Sequence, residues 1–372
     1  MTDATAAPRH TAQAWGATHR GAAVDASGVV TAHHGAVAPL GPLPVRDRAT
    51  REAVEADTLR HGATLAQGAG ARARPEAPDP LRTCFERDRD RILHAEAFRR
   101  LAGKTQVFLF PADHQRTRLT HALEVAQVAG AIARAAGLNV ALTEAIALAH
   151  DCGHGPGGHA SEEAFDVYLP EGFDHAVWGA DVVAAPLNLC AETLDGIRNH
   201  SWSRPAPATP EGAVVSWADR IAYVCHDFED GVAAGVVGPG DLPEVVRRRC
   251  GSTHSAQLGS FIDAIVTTID RHGTVGMDVA HAEALAAFRQ CNYERIYLRD
   301  ESVAQRHDVI ALLRALVEWH LEHPEPGRPD RTVRDVVAWV AGMTDSYACS
   351  VAVDRLGWRR DRLPVGVREP GL

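Results

Sequence analysis

From residue 80 onward, apolar residues recur at three- and four-residue intervals, the spacing of helices that bury one face. Residues 116–136 carry Leu119, Ala122, Leu123, Ala126 and Ala129 at this spacing, and Gly137-Leu138-Asn139 reads as a stop signal. A second helix is expected over 140–150. It is interrupted by the turn Gly153-His154-Gly155-Pro156-Gly157-Gly158, and a short helix resumes at Ala160. Further helices are expected over 213–237, 256–270, 280–291, 303–321 and 332–356. Strand-like alternation shows only at 106–110. The expected fold is therefore all-α, with one principal domain, little or no strand and no internal repeat.

The first 45 residues are rich in Ala, Gly, Thr and His without sustained periodicity, so a mobile tail is expected there. A charged helix is expected over 46–65. Arg74-Pro75-Glu76-Ala77-Pro78-Asp79-Pro80 cannot be helical throughout, because proline removes donors and pushes its predecessor to extended geometry. The expected organisation is tail, charged helix and linker over 1–79, a main domain over 80–360 and a second tail over 361–372.

Composition narrows the class. The hydrophobic share of 45% and charged share of 23% are those of a globular protein. A formal charge of −10 provides no global field to hold nucleic acid or an anionic membrane. No apolar run approaches the roughly 20 residues of a membrane span, and the N-terminus lacks the basic and apolar regions of a secretory signal. The seven cysteines are scattered and contain no C-x-x-C pair, which suits reduced thiols and a cytoplasmic setting. Lys104 is the single lysine among 38 basic residues, which raises the question of whether a compact ammonium is required there.

Three stretches carry candidate chemistry. His150-Asp151 ends the apolar run Ala145-Ile146-Ala147-Leu148-Ala149 just before the glycine-rich turn, and imidazole beside carboxylate suits a divalent metal. Alone, the dipeptide reads first as a helix-end histidine with a capping aspartate, and only its neighbours turn it toward a metal. Arg118 and His121 lie three residues apart and so share a helix face. Asp219, Tyr223 and Asp227 recur at four-residue spacing along one face of an apolar helix, where buried carboxylates need compensating partners.

The ordered set His121, His150-Asp151, Asp219 resembles the H…HD…D metal signature of the HD superfamily. Longer stretches are more specific. Arg87-Asp88-Arg89-Asp90-Arg91-Ile92-Leu93-His94, Phe98-Arg99-Arg100-Leu101, Lys104-Thr105-Gln106-Val107, Arg118-Leu119-Thr120-His121, Ala218-Asp219-Arg220-Ile221-Ala222-Tyr223 and Ala341-Gly342-Met343-Thr344-Asp345 look like the dNTP (deoxyguanosine triphosphate) triphosphohydrolase family. The resemblance runs from Pro80 to Leu356 and implies an HD-type helical bundle with additional C-terminal helices. It implies one divalent ion (Mn²⁺, Mg²⁺, Fe²⁺ or Co²⁺) held by His121, His150, Asp151 and Asp219. It also implies catalytic roles for His159, Glu162 and His175. Lys104, Gln106, Arg118 and Arg220 are expected to bind substrate, Tyr223 and Asp227 to form the deoxyribose floor, and the chain to form a homo-oligomer.

Two departures matter. Gly155-Pro156-Gly157-Gly158 stands where many members carry Pro-Pro-Phe-Gly, so this lip is expected to be more mobile and base preference is left open. Ala176 follows His175 where a polar residue is common. Two other readings stay open: a different HD phosphohydrolase, or a protein with a degenerate site that binds single-stranded nucleic acid. Residues 82–118 carry nine basic and five acidic side chains, a net +4 that would suit the second.

Overall fold

The computed structural model describes residues 23–24, 28–33, 41, 44–111, 114–324 and 331–366. The chain divides into two compact units, Met1–Val45 and Arg46–Leu372. In the first, Ala23–Val24 (β1) and Val30–Thr31 (β2) pair antiparallel, with Ala23 opposite Thr31. Most of the tail expected over 1–45, and residues 367–372 of the tail expected over 361–372, lie outside the described residues.

The second unit is helical, as the periodicity predicts. Arg48–Thr58 (α1) opens it, capped by Asp47, whose carboxylate accepts from Thr50 N at 2.9 Å. Cys84–His94 (α2) and Glu96–Arg100 (α3) follow. Then come Arg118–Ala136 (α4), Val140–Ala149 (α5), Ala160–Asp166 (α6), His175–Trp178 (α7), Ala191–Asn199 (α8) and Pro210–Ala233 (α9). Glu244–Cys250 (α10), His254–His272 (α11), Val279–Asn292 (α12), Asp300–Glu322 (α13), Val333–Ala341 (α14) and Asp345–Leu356 (α15) complete it. Among the described residues no single helix is long and apolar enough to cross a membrane.

The bundle that positions the site is α4, α5 and α9, packed with α11 and α12 through Val125, Ile132, Leu142, Ile146, Ile221, Phe261 and Phe288. Reciprocal Thr117 and Thr120 hydrogen bonds start α4, and Gly137 ends it in the left-handed region at φ 70°. Its buried stripe runs through Ala122, Val125, Val128, Ala129 and Ile132, whereas Leu123 faces outward. Spacing alone had placed that leucine inside. At Gly196 a Cβ would lie 2.3 Å from Ile146 Cδ1, so glycine lets α8 rest directly on α5. The two helices then end side by side in His150 and His200, with ring centroids 4.9 Å apart.

Two expectations are corrected. Residues 106–110 form bends, not a strand, and only Thr105 pairs across, in a single bridge to Thr117. Consecutive Phe108 and Leu109 are both buried, in different core clusters, which an alternating strand does not allow. The single helix expected over 332–356 is two, α14 and α15, bent by 119°. Thr344 caps the second by accepting from Tyr347 N at 3.3 Å. That bend presents Ala341 O to Lys104 and the Asp345 carboxylate to the turn that follows α5.

Candidate metal centre and active site

Three helix segments converge on one cluster of imidazoles and carboxylates. The first turn of α4 brings Arg118 and His121, the end of α5 His150 and Asp151, and the middle of α9 Asp219. Asp219 Oδ1 lies 3.1 Å from His121 Nε2 and 3.6 Å from His150 Nε2. Asp151 Oδ1 is 3.5 Å from His150 Nε2, and Asp151 Oδ2 accepts from Arg118 Nη1 at 2.6 Å. The structure therefore gathers all four sequence-predicted ligands. Burial would raise both aspartates, but the surrounding imidazoles, with Arg118 beside Asp151, outweigh it and hold them well below the usual carboxylate range.

The donor set fits a divalent ion. His150 Nδ1 donates to Ala147 O at 2.7 Å, so Nε2 carries the lone pair, and this buried nitrogen has no hydrogen-bond partner. One ligand atom each from His121, His150 and Asp219 lies within 4.8 Å of the other two. Two imidazoles and two carboxylates suit Mn²⁺, Fe²⁺ or Co²⁺ at least as well as Mg²⁺.

A second group adjoins it. Glu162 Oε1 accepts from His175 Nδ1 at 2.6 Å and lies 3.2 Å from His159 Nδ1. Burial would raise Glu162, but hydrogen bonds from His159 and His175 and the nearby His154 hold it low. His159 is 73% exposed and lines the cavity, whereas His175 is buried and stacks on His154 at 3.8 Å. His154 Nε2 is 3.3 Å from Asp151 Oδ1. Sequence reasoning missed His154 and His200 as members of this group. His154 stood in the quoted turn, but nothing local separates His200 from the other histidines of the chain.

The cavity beside the cluster has a volume of about 790 Å³. Gln106, Arg118, Arg220, Tyr223 and Asp227 line it, together with Trp202, Arg289 and Tyr297. Arg220 lies 3.4 Å over the Trp202 ring. Arg289 Nε donates to Tyr223 Oη at 2.9 Å. Among the described residues neither arginine forms an ion pair with a carboxylate. A π-helical turn, Tyr293–Tyr297, aims Tyr297 at Asp227, whose carboxylate accepts from the phenol. Burial pushes Asp227 up to about 8.

Lys104 is corrected. It does not reach the cavity; its buried Nζ donates to the carbonyls of His154 and Ala341, the latter at 2.9 Å. The neighbouring Asp345 accepts from Thr105 N at 2.8 Å and from Gly157 N at 2.8 Å. Gly157 and Gly158 adopt φ of 71° and 62°, and a Cβ at Gly157 would lie 2.4 Å from Val309 Cγ1. The turn expected to be a mobile lip is thus packed and pinned.

Lys104→Met should lower unfolding stability by about 1–3 kcal/mol, because two buried carbonyls lose their donor. Burial pulls the Lys104 ammonium down to about 8, against 10.5 in the unfolded chain. Between these values the unfolded chain binds more protons, so wild-type stability gains a contribution as pH rises through this window. The variant lacks that slope. Denaturant titrations at pH 7 and 9.5 check both, and an unchanged midpoint would remove Lys104 from its structural role.

Residues 118–224 match the family model described as HD domain, a span that encloses His121, His150, Asp151 and Asp219. A deoxyguanosinetriphosphate triphosphohydrolase-like protein of Caldanaerobacter subterraneus is 39% identical over 322 residues, covering 81% of this chain and 93% of that protein. One of Clostridium perfringens is 40% identical, covering 74% and 87%. A deoxyguanosinetriphosphate triphosphohydrolase-like protein 1 of Deinococcus radiodurans is 36% identical, covering 81% and 97%. Among solved structures, a hypothetical protein from Aquifex aeolicus aligns with a TM-score of 0.48 at 18% identity, covering 74% of this chain and 69% of that one.

Proposed function

The chain belongs to the deoxyguanosinetriphosphate triphosphohydrolase-like family of HD-domain phosphohydrolases, and from that premise we propose that it hydrolyses deoxynucleoside triphosphates to deoxynucleoside and inorganic triphosphate. One observation carries the reading. A single cavity joins the His–Asp cluster to Arg220 and Arg289, two arginines without a carboxylate partner among the described residues. Such a wall calls for a polyanion rather than a monoester.

A divalent ion held by His121, His150, Asp151 and Asp219 would, when bound, neutralise charge developing at the α-phosphate. The protein's own groups do the rest. Arg118 fixes Asp151, and Arg220 and Arg289 neutralise phosphate oxygens. Water adds its oxygen to the α-phosphorus, the Pα–O5′ bond breaks, and His159, oriented by Glu162, delivers a proton to O5′. Arg289 fixes the Tyr223 hydroxyl, which supports a reading of the ring as a sugar floor, with Asp227 on the same wall as the group that engages the 3′-hydroxyl. A 2′-hydroxyl buried there unpaired costs about 1–3 kcal/mol, a factor of roughly five to more than a hundred against ribonucleotides.

The test is incubation of the protein with each dNTP and Mn²⁺, with products resolved by ion-exchange chromatography. Equal amounts of deoxynucleoside and triphosphate are expected. Release of orthophosphate or pyrophosphate in their place would instead favour a different HD phosphohydrolase.

A further inference from the structure

The two arginines of the cavity wall are seated differently. Arg289 Nε donates to Tyr223 Oη at 2.9 Å. Arg220 has no such acceptor. Among the described residues it forms no ion pair, and its buried Nε has no hydrogen-bond partner. It has a ring plane instead: its Cζ lies 3.4 Å from the centroid of Trp202.

That plane is itself held from three directions. Trp202 Nε1 donates to Ser216 O at 3.0 Å, and Ser216 lies one helical turn before Arg220 on α9. Ser216 Oγ donates to His200 O at 2.5 Å, which ties the backbone leading to Trp202 to the same turn. The Trp217 ring meets Trp202 edge to face, with centroids 4.7 Å apart. Trp202 is nonetheless 45% exposed, so burial in a core does not account for this anchoring. A guanidinium resting on a fixed indole does.

An aromatic face and a carboxylate would do different things to Arg220. A carboxylate would hold it but would cancel its charge and compete with an incoming anion. The ring quadrupole attracts the cation while leaving its charge and its N–H donors to the cavity.

We propose that Trp202 is a positioning residue for Arg220, holding the guanidinium ready for the polyphosphate of the substrate with no ion pair to break first. The identity of that substrate rests on the triphosphohydrolase reading; the pairing of Trp202 with Arg220 rests on geometry. Trp202 needs no contact with the nucleotide and acts through Arg220. Fixing a long side chain before binding removes part of the ordering cost that binding otherwise carries.

The test is calorimetric binding of inorganic triphosphate to the full chain with Mn²⁺, alongside steady-state kinetics on one dNTP. Wild type is compared with Trp202→Leu, Trp202→Phe, Arg220→Met and the double variant Trp202→Leu/Arg220→Met. Trp202→Leu should weaken triphosphate binding about two- to thirtyfold and raise KM by a similar factor, with kcat nearly unchanged. Trp202→Phe keeps an aromatic face and should lose less. Once Arg220 is Met, Trp202→Leu should cost nothing further, the non-additivity of two residues acting as one. An equal cost with and without Arg220 would overturn the proposal. So would a rise in dNTP KM without loss of triphosphate affinity, which would make Trp202 a surface for the base. Should the leucine variant not fold, the same cycle with Trp202→Phe decides. Failure of the triphosphohydrolase reading shows separately, as wild type releasing orthophosphate or pyrophosphate from the dNTP. The cycle is then read with pyrophosphate, and the coupling to Arg220 still decides the role of Trp202.

Discussion

Asp219→Ala is expected to lose one ion per chain and, with it, turnover by at least about 10³-fold, the scale of several kcal/mol of metal-supplied charge stabilisation. Asp219 is the only expected ligand contributed by α9, and its Oδ1 stands between His121 and His150, 3.1 Å and 3.6 Å from their Nε2 atoms. Removing it leaves two imidazoles from α4 and α5 with a single carboxylate, Asp151, which Arg118 already holds at 2.6 Å. Asp151 cannot swing across without abandoning that bond. Asp219→Asn keeps the shape and one acceptor oxygen but removes the charge, so it should recover stability without recovering the metal. Elemental analysis and kcat on both variants make the check. A full metal complement with intact activity in Asp219→Ala would end the assignment.

What the sequence shows of this centre follows what local pattern can carry. Three- and four-residue spacing reports which faces are buried, so the α4 and α5 segments and the shared face of Asp219, Tyr223 and Asp227 are legible from spacing. The same spacing does not say where a helix breaks when two helices of similar apolarity follow one another. The 119° turn between α14 and α15 therefore read as continuous helix. Nor does it say which way an isolated charge points. Lys104 was singled out by rarity, but its ammonium is spent on the carbonyls of His154 and Ala341, contacts across 50 and 237 residues of sequence. His200 was invisible for a related reason. Its value comes from Gly196 letting α8 lie against Ile146, a packing fact that the histidine's own neighbours do not announce.

His159→Ala should lower kcat by about 10²–10⁴-fold while metal content and stability stay near wild type. At 73% exposed, His159 contributes little to any core, so its loss should change unfolding stability by less than about 0.5 kcal/mol. It is not among the expected metal ligands, but it sits on the cavity rim with Nδ1 3.2 Å from Glu162. Glu162 stays in place without it, because His175 holds the same oxygen at 2.6 Å. The variant therefore removes one proton-carrying imidazole from an otherwise unaltered wall. Such a group acts when O5′ leaves, so the loss should fall on kcat, with KM nearly unchanged. Glu162→Gln should give a smaller loss of the same kind, since the imidazole remains but is no longer oriented by a charge. Steady-state kinetics with a single dNTP separates the outcomes: a rise in KM at constant kcat would make His159 a phosphate contact and leave the departing oxygen without its acid.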